Sequence, residues 1–387
     1  MKIKDDSFGI QRTLLLKPSF DSKLVDLIID LDHLRRKKLG GTTYSGIFFQ
    51  LKRIFHTLES VGSARLEGNR TTVSEYIEKK IETSQHENET DLEIFNLEET
   101  LEFIDFTVDK VPINSAFICE LHKRVVSKLS PPPKGEGSHS PGEFRKTNVS
   151  ITGAKHCPPD YAQVDDYMSE FFEFINSDNS SKFDLIKMAI AHHRFTWIHP
   201  FDNGNGRTVR LLTYAMLVKQ GFNVDVGRII NPTAIFCINR DNYTKALSAA
   251  DSGEESDMEK WCEYVLSGLK AEIEKIDKLL DYEFLKTRIL IPAIDISLER
   301  QIITELESKI LKIGVEKQVF MSSDIEHYMP GKVHSERSRT LRKLRDKKMI
   351  IRIQPNAKKY TLRFDNSFLL RGIIQKLEDE GFISIKN

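Results

Sequence analysis

The chain has 387 residues, enough for two or three domains with a sizeable buried core. Lys plus Arg and Asp plus Glu both number 57, and 40% hydrophobic with 29% charged residues excludes a disordered chain. No apolar run reaches the length of a membrane-spanning helix, the charged start MKIKDDSFGI lacks a secretory signal, and Cys119, Cys157, Cys237 and Cys262 are scattered without a CxxC pair. These features predict a cytoplasmic protein with no membrane contact, no disulfide framework and no structural zinc.

Leu24, Ile28, Leu31 and Leu34 recur at helical spacing and predict a helix over Ser22–Arg36, followed by the glycines at 40 and 41. A second amphipathic run, Ile47–Val61, leads into Gly62. The short segment Ser63–Asn69 comes next, with Gly68 and Asn69 as a helix stop. Polar residues 79–91 link it to helices near Glu93–Phe106 and Asn114–Lys128. Ser130 and three prolines then open a loop that runs to Gly142.

Phe144–Thr152 alternates and predicts a short β-hairpin ending at Pro158 and Pro159. From Asp160 to Val218 the pattern is helical with one interruption, His199–Gly206. Helices resume near Asn242–Ala250 and Met258–Leu280. Beyond residue 296 the composition shifts. Helices are predicted over Leu298–Ile313, Ser322–Met329 and Ser335–Lys348, then strands over Met349–Ile353 and Tyr360–Leu362. That is the order of a winged helix-turn-helix module. The predicted organisation is an N-terminal helical region over 1–110, a core domain over 111–285 and the winged-helix-like domain over 296–387.

Charge is unevenly placed. Lys332–Arg363 holds twelve Lys or Arg against Glu336 and Asp346, a local charge of +10 in a neutral chain. Arg337, Arg339, Arg342, Lys343 and Arg345 fall on the third helix of the module, with Lys347 and Lys348 at its end. Arg352, Lys358 and Lys359 fall on the wing. Such a face suits the phosphates and major groove of DNA or a contact with another protein, and the spacing leaves both open.

The chemistry is concentrated in His199-Pro200-Phe201-Asp202-Asn203-Gly204-Asn205-Gly206-Arg207-Thr208-Val209-Arg210. A helix must end before Pro200, and a new one begins near Gly206. Gly204 and Gly206 let backbone N–H groups turn into one concavity at that helix's N-terminus, which is an anion site with phosphate as its usual guest. Arg207 and Arg210, three apart, project from nearly one face and can grip further phosphate oxygens. His199, near its ordinary pKa of about 6.5, is suited to take a proton from an attacking hydroxyl. A base, an anion cradle and guanidiniums together match in-line attack on phosphorus. Asp202 or Asn203 is where a metal ligand should stand.

These residues resemble the Fic family, whose signature is HPFx(D/E)GNGRxxR. The resemblance implies a mainly α fold, a Fic-type helical core, and transfer of AMP from ATP to a Ser, Thr or Tyr hydroxyl of a protein, the chain itself included. It implies Mg²⁺ or Mn²⁺ as the metal, His199 as the general base, and Gly204, Asn205 and Gly206 as the cradle of the α- and β-phosphates. Arg207 would hold the leaving pyrophosphate and Arg210 the γ-phosphate. Gly142–Gly153, with Ile151, Thr152 and Gly153, is similar to the family's β-hairpin flap, which docks the target by strand addition. Tyr243, Leu247, Ala250 and Asp251 fall where the family closes its adenine pocket. One departure stands out: Asn203 occupies the position of the acidic metal ligand.

Ser63–Asn69 resembles the family's inhibitory helix, which implies that Glu67 pairs with Arg210 and withholds it from the γ-phosphate, with Ser63 and Asn69 framing it. In some relatives the same glutamate supports removal of AMP. Two other readings stay open beside AMP transfer: a DNA-binding regulator with a nucleotide-sensing core, and transfer of another phosphate-containing group such as UMP or phosphocholine. The resemblance also implies a homodimer.

Overall fold

The computed structural model describes residues 13–36, 44–82, 88–222, 233–237 and 239–383. In chain order its helices are α1 (Lys23–Arg36), α2 (Ser45–Leu66), α3 (Val73–Glu82), α4 (Glu89–Thr107), α5 (Ser115–Val125), α6 (Val164–Asn176), α7 (Asp184–Ile198) and α8 (Asn205–Lys219). There follow α9 (Thr233–Cys237), α10 (Arg240–Ala250), α11 (Glu255–Asp277), α12 (Tyr282–Phe284), α13 (Ile291–Glu299), α14 (Glu305–Lys317), α15 (His334–Asp346) and α16 (Leu369–Asp379). The strands are β1 (Phe320–Met321), β2 (Ile350–Arg352) and β3 (Lys359–Leu362). The fold is mainly helical. No helix among the described residues is long and apolar enough to cross a membrane. Two compact units can be separated: residues 1–37, 59–71 and 86–273 form one, and residues 38–58, 72–85 and 274–387 the other.

The first unit is built around α7 and α8. Both are buried on nearly every face, α7 through Leu185, Met188, Ala191, Phe195 and Ile198, α8 through Val209, Leu212, Ala215 and Leu217. A helix apolar all round has to be central. Trp261 of α11 is buried and donates its indole N–H to Ala189 O of α7 at 2.7 Å. Asn88 and Asn114 start α4 and α5 by accepting from the Asp91 and Phe117 N–H groups at 2.8 and 3.0 Å, the standard work of an N-cap asparagine.

Three predicted features of this unit differ. Gly62 does not end a helix; α2 continues through it to Leu66, because Gly62 is buried and packing there outweighs a propensity cost of about 1 kcal/mol. The helix stops where the Asn69 N–H closes on Ala64 O at 3.1 Å. The stretch 160–218 is broken a second time, at Ser177–Ser180. There Ser177 Oγ takes up Phe174 O (2.6 Å) and Asn179 Nδ2 takes up Ser177 Oγ (2.7 Å), so short polar side chains compete with the helical ladder.

The predicted β-hairpin at 144–152 is not formed, since no described residue of 142–159 is in a strand. Its polar groups bond elsewhere: Arg145 N to Pro200 O (2.8 Å), Asn148 Nδ2 to Asp160 Oδ2 (3.0 Å), and Ala154 N to Ile151 O (3.1 Å) in a turn. An isolated two-stranded ladder is marginal in water, and alternation alone does not close one.

In the second unit β3 is the central strand. β1 pairs with it antiparallel (Phe320 opposite Tyr360), as does β2 (Ile350 opposite Leu362). The helix predicted over 298–313 is in fact two. Thr304 and Glu307 form a capping box, each side chain bonding the other's N–H, so α14 starts afresh after α13 ends. Ser322–Met329 holds turns and one 3₁₀ turn, Glu326–Tyr328, rather than a full helix. The strand β1 and the final helix α16 were not predicted. α16 buries Leu369, Ile373 and Leu377, and its Arg371 pairs with Glu78 and Glu82 of α3.

Candidate active site

The signature loop lies between α7 and α8, inside the first unit. α7 ends as Pro200 requires, and His199 turns left-handed (φ 52, ψ 60) while its N–H still reaches Phe195 O at 3.0 Å. Such a backbone costs a non-glycine residue about 1 kcal/mol or more, and buried Arg145 holds it in place. Its Nε donates to His199 O (2.9 Å), Nη1 to Thr147 O (3.1 Å) and Nη2 to Pro159 O (2.6 Å). In the His199 ring Nδ1 lies 3.3 Å from Thr196 O. A carbonyl only accepts, so Nδ1 carries the proton and Nε2 keeps its lone pair. Burial is the main cause that lowers the ring's pKa, to about 4, so the imidazole is neutral and available as a base at neutral pH.

The loop is closed from within by Asn205. Its Oδ1 accepts from Phe201 N and its Nδ2 donates to Phe201 O, both at 2.9 Å. His122 of α5 stacks on Phe201 with centroids 3.7 Å apart; its Nδ1 accepts from Gly142 N (2.9 Å) and its Nε2 donates to Asn203 O (3.1 Å). Burial pushes the His122 pKa down to about 4 as well. Asp202 turns away from the helix N-terminus and accepts from Ser138 Oγ (2.5 Å), His139 N (2.8 Å) and Asn203 N (2.9 Å).

Gly204 adopts φ +75 and α8 begins at Asn205. Thr208 N is already paired with Gly204 O at 3.0 Å. The N–H groups of Asn205, Gly206 and Arg207 therefore come before the helical ladder and form its anion-binding end. The carboxylate of Glu67 lies on that end. A methyl placed on Gly206 would come within 2.2 Å of Glu67 Oε1.

Arg210 Nη2 donates to Glu67 Oε1 at 2.6 Å and to Ser63 O at 3.0 Å, and its Nε to Ser63 Oγ at 2.8 Å. Burial opposes ionisation of Glu67, but Arg210 and then Arg207 outweigh it and hold its pKa below the ordinary value. Burial also opposes the charge on Arg210, and Glu67 outweighs that, raising its pKa.

Arg207 is fully buried. Its Nη1 donates to Glu93 Oε1 (2.8 Å) and its Nη2 to Glu136 O (2.7 Å), with Glu136 Oε2 3.5 Å away. The Arg207 Nε finds no partner. Asn69 donates to Glu93 Oε2 at 2.8 Å. Asn203 sends Nδ2 to Gly137 O (3.0 Å) and towards Glu136 Oε2 (3.4 Å), so a half-exposed carboxylate stands beside Asn203.

Ser63, Glu67 and Arg210 thus form one bonded set over Gly206, Asn69, Arg207 and Asn203 a second through Glu93 and Glu136, and His199, Gly204 and Asn205 stand on the loop between α7 and α8. Ile151, Thr152 and Gly153 sit on the 142–159 loop with Thr152 exposed. Tyr243 turns into the core, its hydroxyl 3.0 Å from His192 Nε2. Asp251 accepts from His193 at 3.1 Å and lines a separate cavity of about 170 Å³ with Leu16, Ile190 and Trp197. Tyr243 is not in that cavity's lining. Glu93, His122, Glu136 and Arg145 are members of the site that sequence reading did not single out. A capped apolar run carrying Glu93 reads as an ordinary amphipathic helix, and a loop residue such as Glu136 has no periodicity to betray it.

A neutral imidazole, a helix N-terminus and two arginines are gathered at one loop, the donor set of an anion site. Residues 112–217 match the model of the Fic/DOC family, so the chain carries a Fic domain. Over 204 residues it is 31% identical to a protein adenylyltransferase Fic from Drosophila yakuba, a match that covers 51% of this chain and 37% of that one. The chain therefore spans well under half the length of such curated relatives. Among solved structures it is similar to a Fic family protein from Desulfovibrio desulfuricans (18% identity, TM-score 0.56, 89% of this chain and 97% of that one). A Fic domain containing signaling protein from Bacteroides thetaiotaomicron is also similar (20% identity, TM-score 0.50, 67% of this chain and 97% of that one). At these identities the likeness is one of fold.

Proposed function

We propose that the protein is an adenylyltransferase that moves AMP from ATP to a Ser, Thr or Tyr hydroxyl of a protein, and that Glu67 restrains it. The observation that carries this reading is the Glu67 carboxylate, which covers Gly206 and holds Arg210 where phosphate oxygens would otherwise sit. A side-chain anion resting on a helix N-terminus marks the place of a ligand anion.

In the transfer, the target oxygen bonds to the α-phosphorus, the bond from that phosphorus to the α,β-bridging oxygen breaks, and pyrophosphate leaves with its electron pair. The hydroxyl proton goes to His199 Nε2, the ring atom left with its lone pair by the Thr196 contact. The N–H groups of Asn205, Gly206 and Arg207 cradle the phosphates, and Arg207 and Arg210 balance the charge of the leaving group. With Glu67 on Arg210 the γ-phosphate loses its partner, so ATP binds with its α-phosphate out of line. Arg210 is buried in this pair, so ATP can take up its guanidinium only by displacing Glu67, which holds the activity low.

The donor set suits Mg²⁺. Mg²⁺ takes one or two protein oxygens and completes its shell with phosphate and water. Asn203 offers a neutral oxygen and the neighbouring Glu136 a carboxylate, and bound Mg²⁺ would neutralise developing phosphate charge. Glu136→Gln is expected to raise the Mg²⁺ concentration that half-saturates activity, and Asn203→Asp to lower it. Unchanged titration curves in both would remove these ligands.

Labelled ATP, UTP and CTP with purified wild type, Glu67→Gly, and Glu67→Gly with His199→Ala test the whole reading. Label from ATP, increased about tenfold or more by Glu67→Gly and abolished by His199→Ala, is the expected result. Label from another nucleotide, or none from any, overturns it.

For the second unit we propose a winged-helix module that binds duplex DNA. The order α14, β1, the 3₁₀ turn Glu326–Tyr328, α15, β2 and β3 supports this reading, with that turn where the second helix was expected, and Arg339, Arg342 and Lys343 are exposed on α15.

A further inference from the structure

The Glu67–Arg210 pair accounts for one of the two signature arginines. The other is held by a different arrangement. The side chains of Arg207 and Glu93 are 1% and 3% exposed. Both carboxylate oxygens of Glu93 are taken, Oε1 by Arg207 Nη1 and Oε2 by Asn69 Nδ2, each at 2.8 Å. Asn69 is itself fixed. Its Nδ2 also donates to Thr90 O (2.9 Å), and its Oδ1 accepts from Thr71 N (2.9 Å). Glu93 comes from α4, Arg207 from α8, and Asn69 from the stretch just after α2 that also carries Ser63 and Glu67.

We propose that Glu93 is a positioning residue that aims Arg207 at the leaving pyrophosphate, and that Asn69 completes the aim. The stretch Ser63–Asn69 then does two opposed jobs. Through Glu67 it withholds Arg210, and through Asn69 and Glu93 it keeps Arg207 in place. This inference rests on the adenylyl-transfer reading and deepens it.

The chemistry of the pair supports the assignment. An arginine carries five N–H donors in a fixed fork, and fixing two of them fixes the plane of the rest. Glu93 and Glu136 hold the two terminal nitrogens, and the Nε–H is left over without a partner. A buried donor left unpaired beside two bonded nitrogens of the same fork is what a bound phosphate oxygen would complete. The charged groups that face Glu93 are Arg207, Glu136 and Glu67. Burial, only partly offset by Arg207, raises its pKa above the ordinary value. Loss of the Asn69 bond would raise it further, because that bond is made to the charged form.

Neighbouring residues of one short segment should therefore have opposite effects. Glu67→Gly should activate; Asn69→Ala, added to it, should impair. The test compares Glu67→Gly alone with Glu67→Gly carrying Asn69→Ala, Glu93→Gln or Glu93→Asp. The readouts are kcat, KM for ATP, the pH profile of kcat, the affinity of a non-hydrolysable ATP analogue by calorimetry, and thermal melting.

Asn69→Ala and Glu93→Gln are expected to lower kcat by about tenfold or more, with KM and analogue affinity within about threefold. The acid limb of kcat should move to higher pH in Asn69→Ala, and Glu93→Asp should recover part of the rate. An unchanged kcat in Asn69→Ala, or a loss in kcat matched by an equal loss in analogue affinity and melting temperature, overturns the proposal. If Glu93→Gln fails to fold, Asn69→Ala, which keeps the ion pair, decides alone. An inactive Glu67→Gly parent removes the adenylyl-transfer reading and this inference with it; an active parent matched by Asn69→Ala removes only this inference.

Discussion

Asn205 has a side chain and a backbone with separate tasks. The resemblance assigns it to the phosphate cradle; its side-chain amide bridges Phe201 N and Phe201 O, and its backbone N–H remains for an anion. Asn205→Ala should thus cost stability before it costs binding. With two buried bonds lost and their partners unpaired, the expected drop is about 2 kcal/mol in urea unfolding; an unchanged midpoint would mean the loop closes without this bridge. His122 and His199 predict a pH dependence. Both titrate near 4 in the folded protein, below the ordinary 6.5. The unfolded chain therefore takes up protons first, so their contribution is complete above pH 6.5, declines as the pH falls to about 4 and is flat below. Each contributes at most on the order of 3 kcal/mol. Urea midpoints measured between pH 7 and 4 should show the slope, and His122→Phe, which keeps a ring on Phe201, should make it shallower. Glu67 has its pKa held below the ordinary 4.5 by Arg210 and Arg207, against the effect of burial. Its pairing is complete above pH 4.5 and is lost only as the pH falls through the folded pKa, so neutral pH does not break the Glu67–Arg210 pair.

Among the elements, legibility followed the kind of force that builds each one. α1, α4, α5, α7 and α8 were readable because an apolar stripe has to be buried, and burial leaves a period in the sequence. The break at Ser177–Ser180 was not, since Phe171, Phe174 and Leu185 keep the apolar pattern running across it while serine and asparagine side chains undo the ladder. Gly62 misled in the other direction, because tight packing overrode its propensity. The capping box at Thr304 and Glu307 was present in the letters and was overrun by the period of the surrounding apolar residues. The 142–159 loop is the most instructive. Alternation suggested strands, but a single side chain organises it. Arg145 reaches the carbonyls of Thr147, Pro159 and His199, three points far apart in sequence that no local pattern connects. Arg145→Lys keeps the charge and loses the fork. Released from this clamp, the His199 backbone should shift, and a displacement of the proposed base by about 1 Å can cost about a hundredfold in rate. The expected signature in an active background is a fall in kcat with little change in the affinity of an ATP analogue. An equal fall in both would make Arg145 a general support of the site rather than a clamp on its base.

At the scale of the whole molecule the chain joins an uncharged average to a basic second unit, and the sequence count of +10 over Lys332–Arg363 does not say which cations are available. The structure divides them. Arg337 donates to Glu326 and to Lys332 O, Lys332 pairs with Glu336, and Lys347 pairs with Glu307. Arg339, Arg342 and Lys343 are exposed on α15 and have no ion pair or hydrogen bond among the described residues. A cation already neutralised by a carboxylate gives up that pair to reach a phosphate, so its net gain is small; an unpaired one displaces only the counterions of the nucleic acid. The proposed DNA contact therefore predicts unequal effects from residues that look alike in the sequence. Gel retardation of duplex DNA by the full chain should weaken steeply with salt. Replacing Arg339 and Arg342 together by alanine should reduce the slope of log affinity against log salt by about 2, at roughly 0.9 per phosphate contact. Arg337→Ala should leave that slope nearly unchanged. Equal losses from all three arginines would mean that the basic helix acts through its total charge, and no retardation at low salt would assign this face to a protein partner instead.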